Sequence, residues 1–188
     1  MHTENLKETC ISSESIFEGK VLHVLLDQIR LPNGKAGFRE YIKHKGAVAV
    51  LPLTDEGEVI CVRQYRYAVG MEMLEIPAGK LDSIDEVHTE AALRELREET
   101  GATCERLHFL GTYIGSPAIL DEKIDLYFAE GLTFGETDFD EDEFIEIERI
   151  PLSSLVDDAL AGKIPDGKTQ LAVLLVNELL RRREGGAK

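Results

Sequence analysis

A nearly continuous apolar run, Gly46 to Leu53, has the pattern of a strand buried on both faces, so it is read as the central strand of a sheet. Around it the pattern changes. Val21 to Leu31 and Phe38 to Lys43 are strand-like and flank the turn Leu31-Pro32-Asn33-Gly34-Lys35, which predicts an N-terminal hairpin. Residues 1 to about 15 are polar and are expected to be loose. After the central run, Thr54 to Glu58 turns the chain into a strand from Val59 to Tyr67, and Met73 to Ile76 forms a short strand ahead of Pro77-Ala78-Gly79. Next comes a helix whose apolar positions are Ala91, Ala92, Leu93 and Leu96. Ser83 or Asp85 is placed to cap its start, and Gly101 to stop it.

Strands are expected at Leu107 to Ile114, Ile124 to Ala129 and Phe144 to Ile150. A loop separates the first two, and an acidic, glycine-bearing loop spans Gly131 to Asp142. Helices are expected at Leu152 to Ala161 and Thr169 to Arg183, the second closed by Arg181, Arg182 and Arg183 at its negative end. Strands mixed with few helices indicate an α/β sandwich.

Composition narrows what such a fold does. The formal net charge of −15 argues against nucleic acid or an anionic membrane as partner. No apolar run approaches the ~18 residues of a membrane span. The opening MHTENLKETC lacks the basic-then-apolar order of a secretory signal, and three cysteines without CxxC spacing read as reduced thiols. Both point to the cytoplasm.

The chemistry concentrates at Arg94-Glu95-Leu96-Arg97-Glu98-Glu99. Glu95, Glu98 and Glu99 stand at i, i+3 and i+4, about 5–6 Å apart between Cβ atoms, where like charges repel. Pairs such as Arg94–Glu98 would relieve that repulsion on a solvated face. A hard divalent cation would convert it into ligation, since Mg²⁺ takes oxygen ligands.

Gly79, an acid at 85 or 86, and Arg94-Glu95-Leu96-x-Glu98-Glu99-x-Gly101-Ala102 resemble the Nudix box. Six residues separate Gly79 from Glu86, one more than the box has. Counting forward from Gly79 puts Asp85 at the first acid, and counting back from Arg94 puts Glu86 there. Other stretches are similar to the ADP-ribose pyrophosphatase branch of that family: Arg63-Gln64-Tyr65-Arg66, Glu75 to Gly79, Ser116-Pro117-Ala118-Ile119-Leu120-Asp121-Glu122, and the acidic stretch Asp140 to Ile145. Pro117 stands 16 residues past Gly101, as in the ADP-ribose-preferring group, and Ala118 replaces that group's usual glycine.

The resemblance implies a Nudix fold, a mixed β-sheet sandwiched between α-helices, with an N-terminal β-hairpin. It implies residues 1–45 as a segment serving dimerisation and 46–188 as the hydrolase domain. The implied reaction is Mg²⁺-dependent hydrolysis of ADP-ribose to AMP and ribose 5-phosphate, with two or three ions per site and Mn²⁺ as a substitute. Glu95, Glu99 and the carbonyl of Ala78 would hold metal, joined by Glu98 and Glu143. Arg94 would orient the carboxylates. Glu141 would be the general base, with Glu122 as a substrate contact or second base. Arg66, Ser116 and Pro117 would contact substrate. The alternatives are a pyrophosphatase for another nucleotide sugar, such as GDP-mannose, and a Nudix-fold module that binds ADP-ribose without cleaving it. The complete Glu95/Glu98/Glu99 set argues against the module.

Overall fold

The computed structural model describes residues 6–139 and 144–186. The chain divides into two units. The first comprises the residues up to Lys45 together with Ile114–Glu122, and the second comprises Gly46–Tyr113 and the chain from Lys123 onward.

The first unit is a three-stranded antiparallel meander of β1 (Thr9–Glu18), β2 (His23–Arg30) and β3 (Ala36–Lys43). The Asn33 side chain accepts a hydrogen bond from the Lys35 amide at 3.0 Å, and the Gly34 amide bonds the Leu31 carbonyl at 2.8 Å, closing the β2–β3 turn. β1 corrects the expectation of a loose N-terminus. It hides no side chain from solvent, and its register against β2 shifts at Cys10/Ser12 and at Ser15/Phe17. Those irregularities erase the alternation by which a strand is recognised in sequence; backbone pairing makes this one. The segment Ile114–Glu122 is tied to the end of β3: the Ile42 amide bonds the Ile119 carbonyl at 2.8 Å, and Asp121 takes the His44 amide at 2.6 Å and the Lys43 ammonium at 3.0 Å.

The second unit holds two sheets. One runs β7 (Ala78–Lys80), β4 (Ala47–Pro52), β9 (Ile124–Phe134), β8 (Ala102–Tyr113). The other runs β10 (Glu146–Pro151), β5 (Glu58–Arg66), β6 (Met71–Glu75). β4 and β9 pair in parallel and the other pairs are antiparallel, so the first sheet is mixed. Every residue of β4 is buried. Its alternate side chains feed two cores, as a period of two dictates. Val48 and Val50 pack with Ala91, Ala92 and Leu96 of α1 (His88–Thr100). Ala49 and Leu51 pack with Leu155 of α2 (Leu152–Leu160) and with Val173 and Val176 of α3 (Gly167–Gly185). Helices therefore cover both faces of the mixed sheet. β9 runs on to Phe134, paired with Ala102–Cys104, so the loop expected from Gly131 begins later. Cys61 on β5 is buried, and that burial with Glu148 nearby pushes its thiol up to about 12, which keeps it inert.

Candidate functional site

Neither Ser83 nor Asp85 caps α1; its N-cap is Val87, which offers no side-chain bond. The chain ahead of it turns on itself instead. The Glu86 carboxylate accepts from the Asp82 amide at 2.6 Å and the Glu86 amide bonds the Ser83 carbonyl at 3.2 Å, which delays the helix. At the other end Gly101 has φ +67°, its amide bonds the Arg97 carbonyl, and an added Cβ would press on the Gly135 carbonyl. Only glycine ends the helix there without strain.

Between those ends the three glutamates differ. Glu95 and Glu99 are buried, at 8% and 3% exposure, while Glu98 is half-buried. The Ala78 amide donates to the Glu99 carboxylate at 3.0 Å. Glu95 lies so close over the backbone of Gly79 that a Cβ there would run into its carboxylate. Arg94 gathers this region. Its Nη1 donates to Glu95 at 2.7 Å and to Glu98 at 3.1 Å, and its Nη2 reaches Glu86 and the Lys80 carbonyl, each at 3.3 Å. Burial disfavours the guanidinium charge, but Glu95 and Glu98 outweigh it and hold Arg94 above its ordinary pKa. Glu86, half-buried, is thus the acid that faces Arg94, and Asp85 is exposed. The extra residue of the box is absorbed in the loop.

Arg66, at the end of β5, lies in a second charged group. Its Nε and Nη2 donate to the two oxygens of Glu75 at 2.7 and 2.8 Å. The Lys168 ammonium also binds Glu75, and reaches Asp166 at 3.1 Å. Asp166 caps α3 by accepting from the Thr169 amide at 3.0 Å, and the Thr169 hydroxyl accepts from the Ile76 amide at 2.9 Å. Burial alone would raise the Glu75 carboxyl; hydrogen bonds from Arg66 and the charge of Lys168 overcome it and hold the group below the usual carboxylate range.

The structure thus brings Ala78, Arg94, Glu95, Glu98 and Glu99 together in the second unit, with Arg66 held by Glu75 in the same unit. Ser116, Pro117 and Glu122 lie in the first unit, where the His44 ring stands 3.4 Å from Glu122. Glu141 and Glu143 lie outside the described residues. Sequence reasoning missed the roles of Glu75, Lys168, Asp166 and Thr169. One signal was available: Glu75 is flanked by Leu74 and Ile76, and a charge buried among apolar residues needs a partner.

Among the described residues no three acidic, histidine or cysteine side chains are drawn close enough to hold an ion as they stand, and Arg94 occupies the space between Glu95 and Glu98. The donor set nevertheless fits a hard divalent cation. It is all oxygen, two of its carboxylates are buried on a rigid helix, and Gly79 leaves the room that Glu95 needs.

A fold that lays acidic α1 against the backbone of β7 is shared with known proteins. The family model described as the NUDIX domain matches residues 43–172, and that of the nucleoside diphosphate sugar hydrolase N-terminal domain matches residues 8–42. The chain belongs to the Nudix family. It is 41% identical to an ADP-ribose pyrophosphatase of Bacillus subtilis (strain 168), over 90% of this chain and 92% of the relative. It is 39% identical to a methanol dehydrogenase activator of Bacillus methanolicus, over 94% of this chain and 97% of the relative. A crystal structure of an ADP compounds hydrolase superposes with a TM-score of 0.81 at 26% identity, covering 94% of this chain and 96% of the other. Nudix hydrolases as a class work with divalent metal ions.

Proposed function

We propose that the protein hydrolyses the diphosphate bond of ADP-ribose, giving AMP and ribose 5-phosphate, with Mg²⁺ bound at α1. The pair of buried carboxylates, Glu95 and Glu99, set against the backbone at Ala78 and Gly79, carries this reading. Similarity to an ADP-ribose pyrophosphatase along nearly the whole of both chains supports the choice of substrate.

Glu95, Glu99 and the Ala78 carbonyl would hold two or three ions, with Glu98 and Glu143 as further ligands and Mn²⁺ as a substitute. Bound cations polarise phosphoryl oxygens and lower the pKa of a water molecule. Glu141 accepts the proton of the attacking water, and Glu122 contacts substrate or takes that proton in its place. The water oxygen bonds one phosphorus as the bridging P–O bond breaks, so each product leaves with one phosphate. Arg94 keeps Glu95 and Glu98 in register. Arg66 offsets diphosphate charge, and Ser116 and Pro117 contact the nucleotide sugar.

The protein acts as a cytoplasmic homodimer, with residues 1–45 serving dimerisation and 46–188 forming the hydrolase domain. Exposed Phe17, Val21 and Phe38 on and beside the meander support an interface there, and free cysteines support a reducing compartment. Among the described residues no helix is long and apolar enough to cross a membrane.

The test is a panel of ADP-ribose, GDP-mannose, NADH and diadenosine polyphosphates with Mg²⁺, products resolved by chromatography. ADP-ribose is expected to give the highest kcat/KM. A tenfold advantage for GDP-mannose or NADH, about 1.4 kcal/mol in transition-state stabilisation, overturns the substrate assignment.

A further inference from the structure

The ion pairs around Arg66 join two carboxylates, Glu75 and Asp166, to two cations, Arg66 and Lys168, and Glu99 adds a further negative charge near Arg66. Their burial is uneven. The Glu75 side chain is 2% exposed and that of Lys168 9%, whereas Arg66 is 41% exposed. Glu75 takes one edge of the guanidinium, through Nε and Nη2, and Nη1 donates to no described residue. Arg66 is therefore anchored from behind with donors to spare.

We infer that Lys168 is a positioning residue for the substrate: by sharing the buried Glu75 carboxylate, it holds Arg66 in place and keeps its positive charge available to a diphosphate. This rests on the reading that Arg66 contacts the diphosphate. Without Lys168 the group loses one of its two cations, and Glu75 draws on Arg66 alone. An anionic substrate then meets a neutralised arginine. The same turn of α3 acts a second time. Thr169 binds the Ile76 amide, and two residues further on the Ala78 amide binds Glu99. The start of α3 thus fixes the Ile76 amide, next to the arginine's anchor Glu75, while Glu99 of α1 fixes the Ala78 amide on the other side of Pro77. Nothing in this arrangement requires Lys168 to touch substrate.

A role confined to stability would lower the melting temperature and leave KM alone, so a double-mutant cycle on the full chain separates the two. The variants are Lys168→Met, Arg66→Met and the pair, assayed with Mg²⁺ on ADP-ribose or on whichever panel diphosphate the wild type hydrolyses best. Lys168→Met is expected to raise KM about tenfold while kcat stays within about threefold, the pattern of lost binding. In the Arg66→Met background the same change is expected to add less than about twofold, because residues acting through one another are not additive. Equal losses in both backgrounds, or a fall in kcat at constant KM, overturn the inference. If Lys168→Met fails to fold by circular dichroism, Lys168→Gln keeps a hydrogen-bond donor for the buried Glu75 carboxylate while removing the positive charge. That variant should fold and show the same rise in KM; an unchanged KM overturns the inference. Wild-type protein that hydrolyses no panel member overturns the diphosphatase reading and the inference with it, whereas hydrolysis with additive losses overturns the positioning role alone.

Discussion

Two charged groups in the second unit invert one another. At α1 the guanidinium of Arg94 sits among Glu86, Glu95 and Glu98, with Glu99 one turn away from Glu95. At β6 and the start of α3 a carboxylate, Glu75, sits between the cations Arg66 and Lys168. The first group has more acid than one guanidinium offsets; in the second, two carboxylates are ion-paired with two cations. Excess buried acid on a rigid helix is the condition of a site awaiting cations. Ion pairing around a buried carboxylate is the condition of a fixed support. The acid-rich group stands where chemistry is proposed, and the ion-paired one where geometry must be held.

The two groups differ most at Glu99. Glu99→Gln keeps the side chain's size and removes its charge, so calorimetry should show weaker Mg²⁺ binding. The value of kcat/KM should fall by about 10⁴, or several kcal/mol of charge stabilisation. Glu141→Gln sharpens the comparison from outside both groups. Mg²⁺ and ADP-ribose binding should survive, with kcat lower by about 10³, inside the usual range for a positioned base. Near-normal kcat in that variant, with loss in Glu122→Gln or Glu143→Gln, moves the base to the other residue.

Arg94→Lys tests whether the guanidinium of the acidic group does more than neutralise. A lysine keeps the charge but cannot serve Glu95, Glu98 and Glu86 from one planar fork. Activity should fall about 10- to 100-fold, the usual cost of disturbing groups that orient metal ligands; full activity would reduce Arg94 to a counter-charge.

Glu75→Gln should have the smallest effect on kcat at neutral pH, its loss of the Arg66 anchor showing in KM, and a distinct effect on stability. The folded Glu75 titrates below its ordinary value, so its contribution is complete above about pH 4.3 and is lost as pH falls through the depressed folded value. Melting curves should show the wild type losing stability more steeply than Glu75→Gln in that acid range. Parallel curves would mean that the Glu75 carboxyl is not depressed.

Legibility from sequence followed the range of each interaction. β4 was evident because its burial on both faces leaves an unbroken apolar run. The shared face of Glu95, Glu98 and Glu99, and the stop at Gly101, were evident because helical spacing and αL geometry are local. The start of α1 was not, because Glu86 spends its carboxylate on the Asp82 amide and on Arg94 in place of a cap. Whether Asp85 or Glu86 stood in the first acidic place needed that same geometry. β1 was hidden because its cohesion lies in pairing with β2 and none of its side chains is buried. Glu75 and Lys168 are 93 residues apart, so sequence could announce that Glu75 needs a partner without saying which residue supplies it.

The parallel pairing of β4 with β9 also sets a timetable for synthesis. Ala47 cannot meet Ile124 until the whole acidic helix and β8 have been made. At about 5–20 residues per second on the ribosome, that is a delay of several seconds. Throughout it the most hydrophobic strand of the chain is without the neighbour that completes its hydrogen bonding. Long-range parallel pairing of this kind folds slowly and is prone to aggregation until it closes. The strand that organises the finished enzyme is therefore open to wrong partners while the nascent chain lengthens.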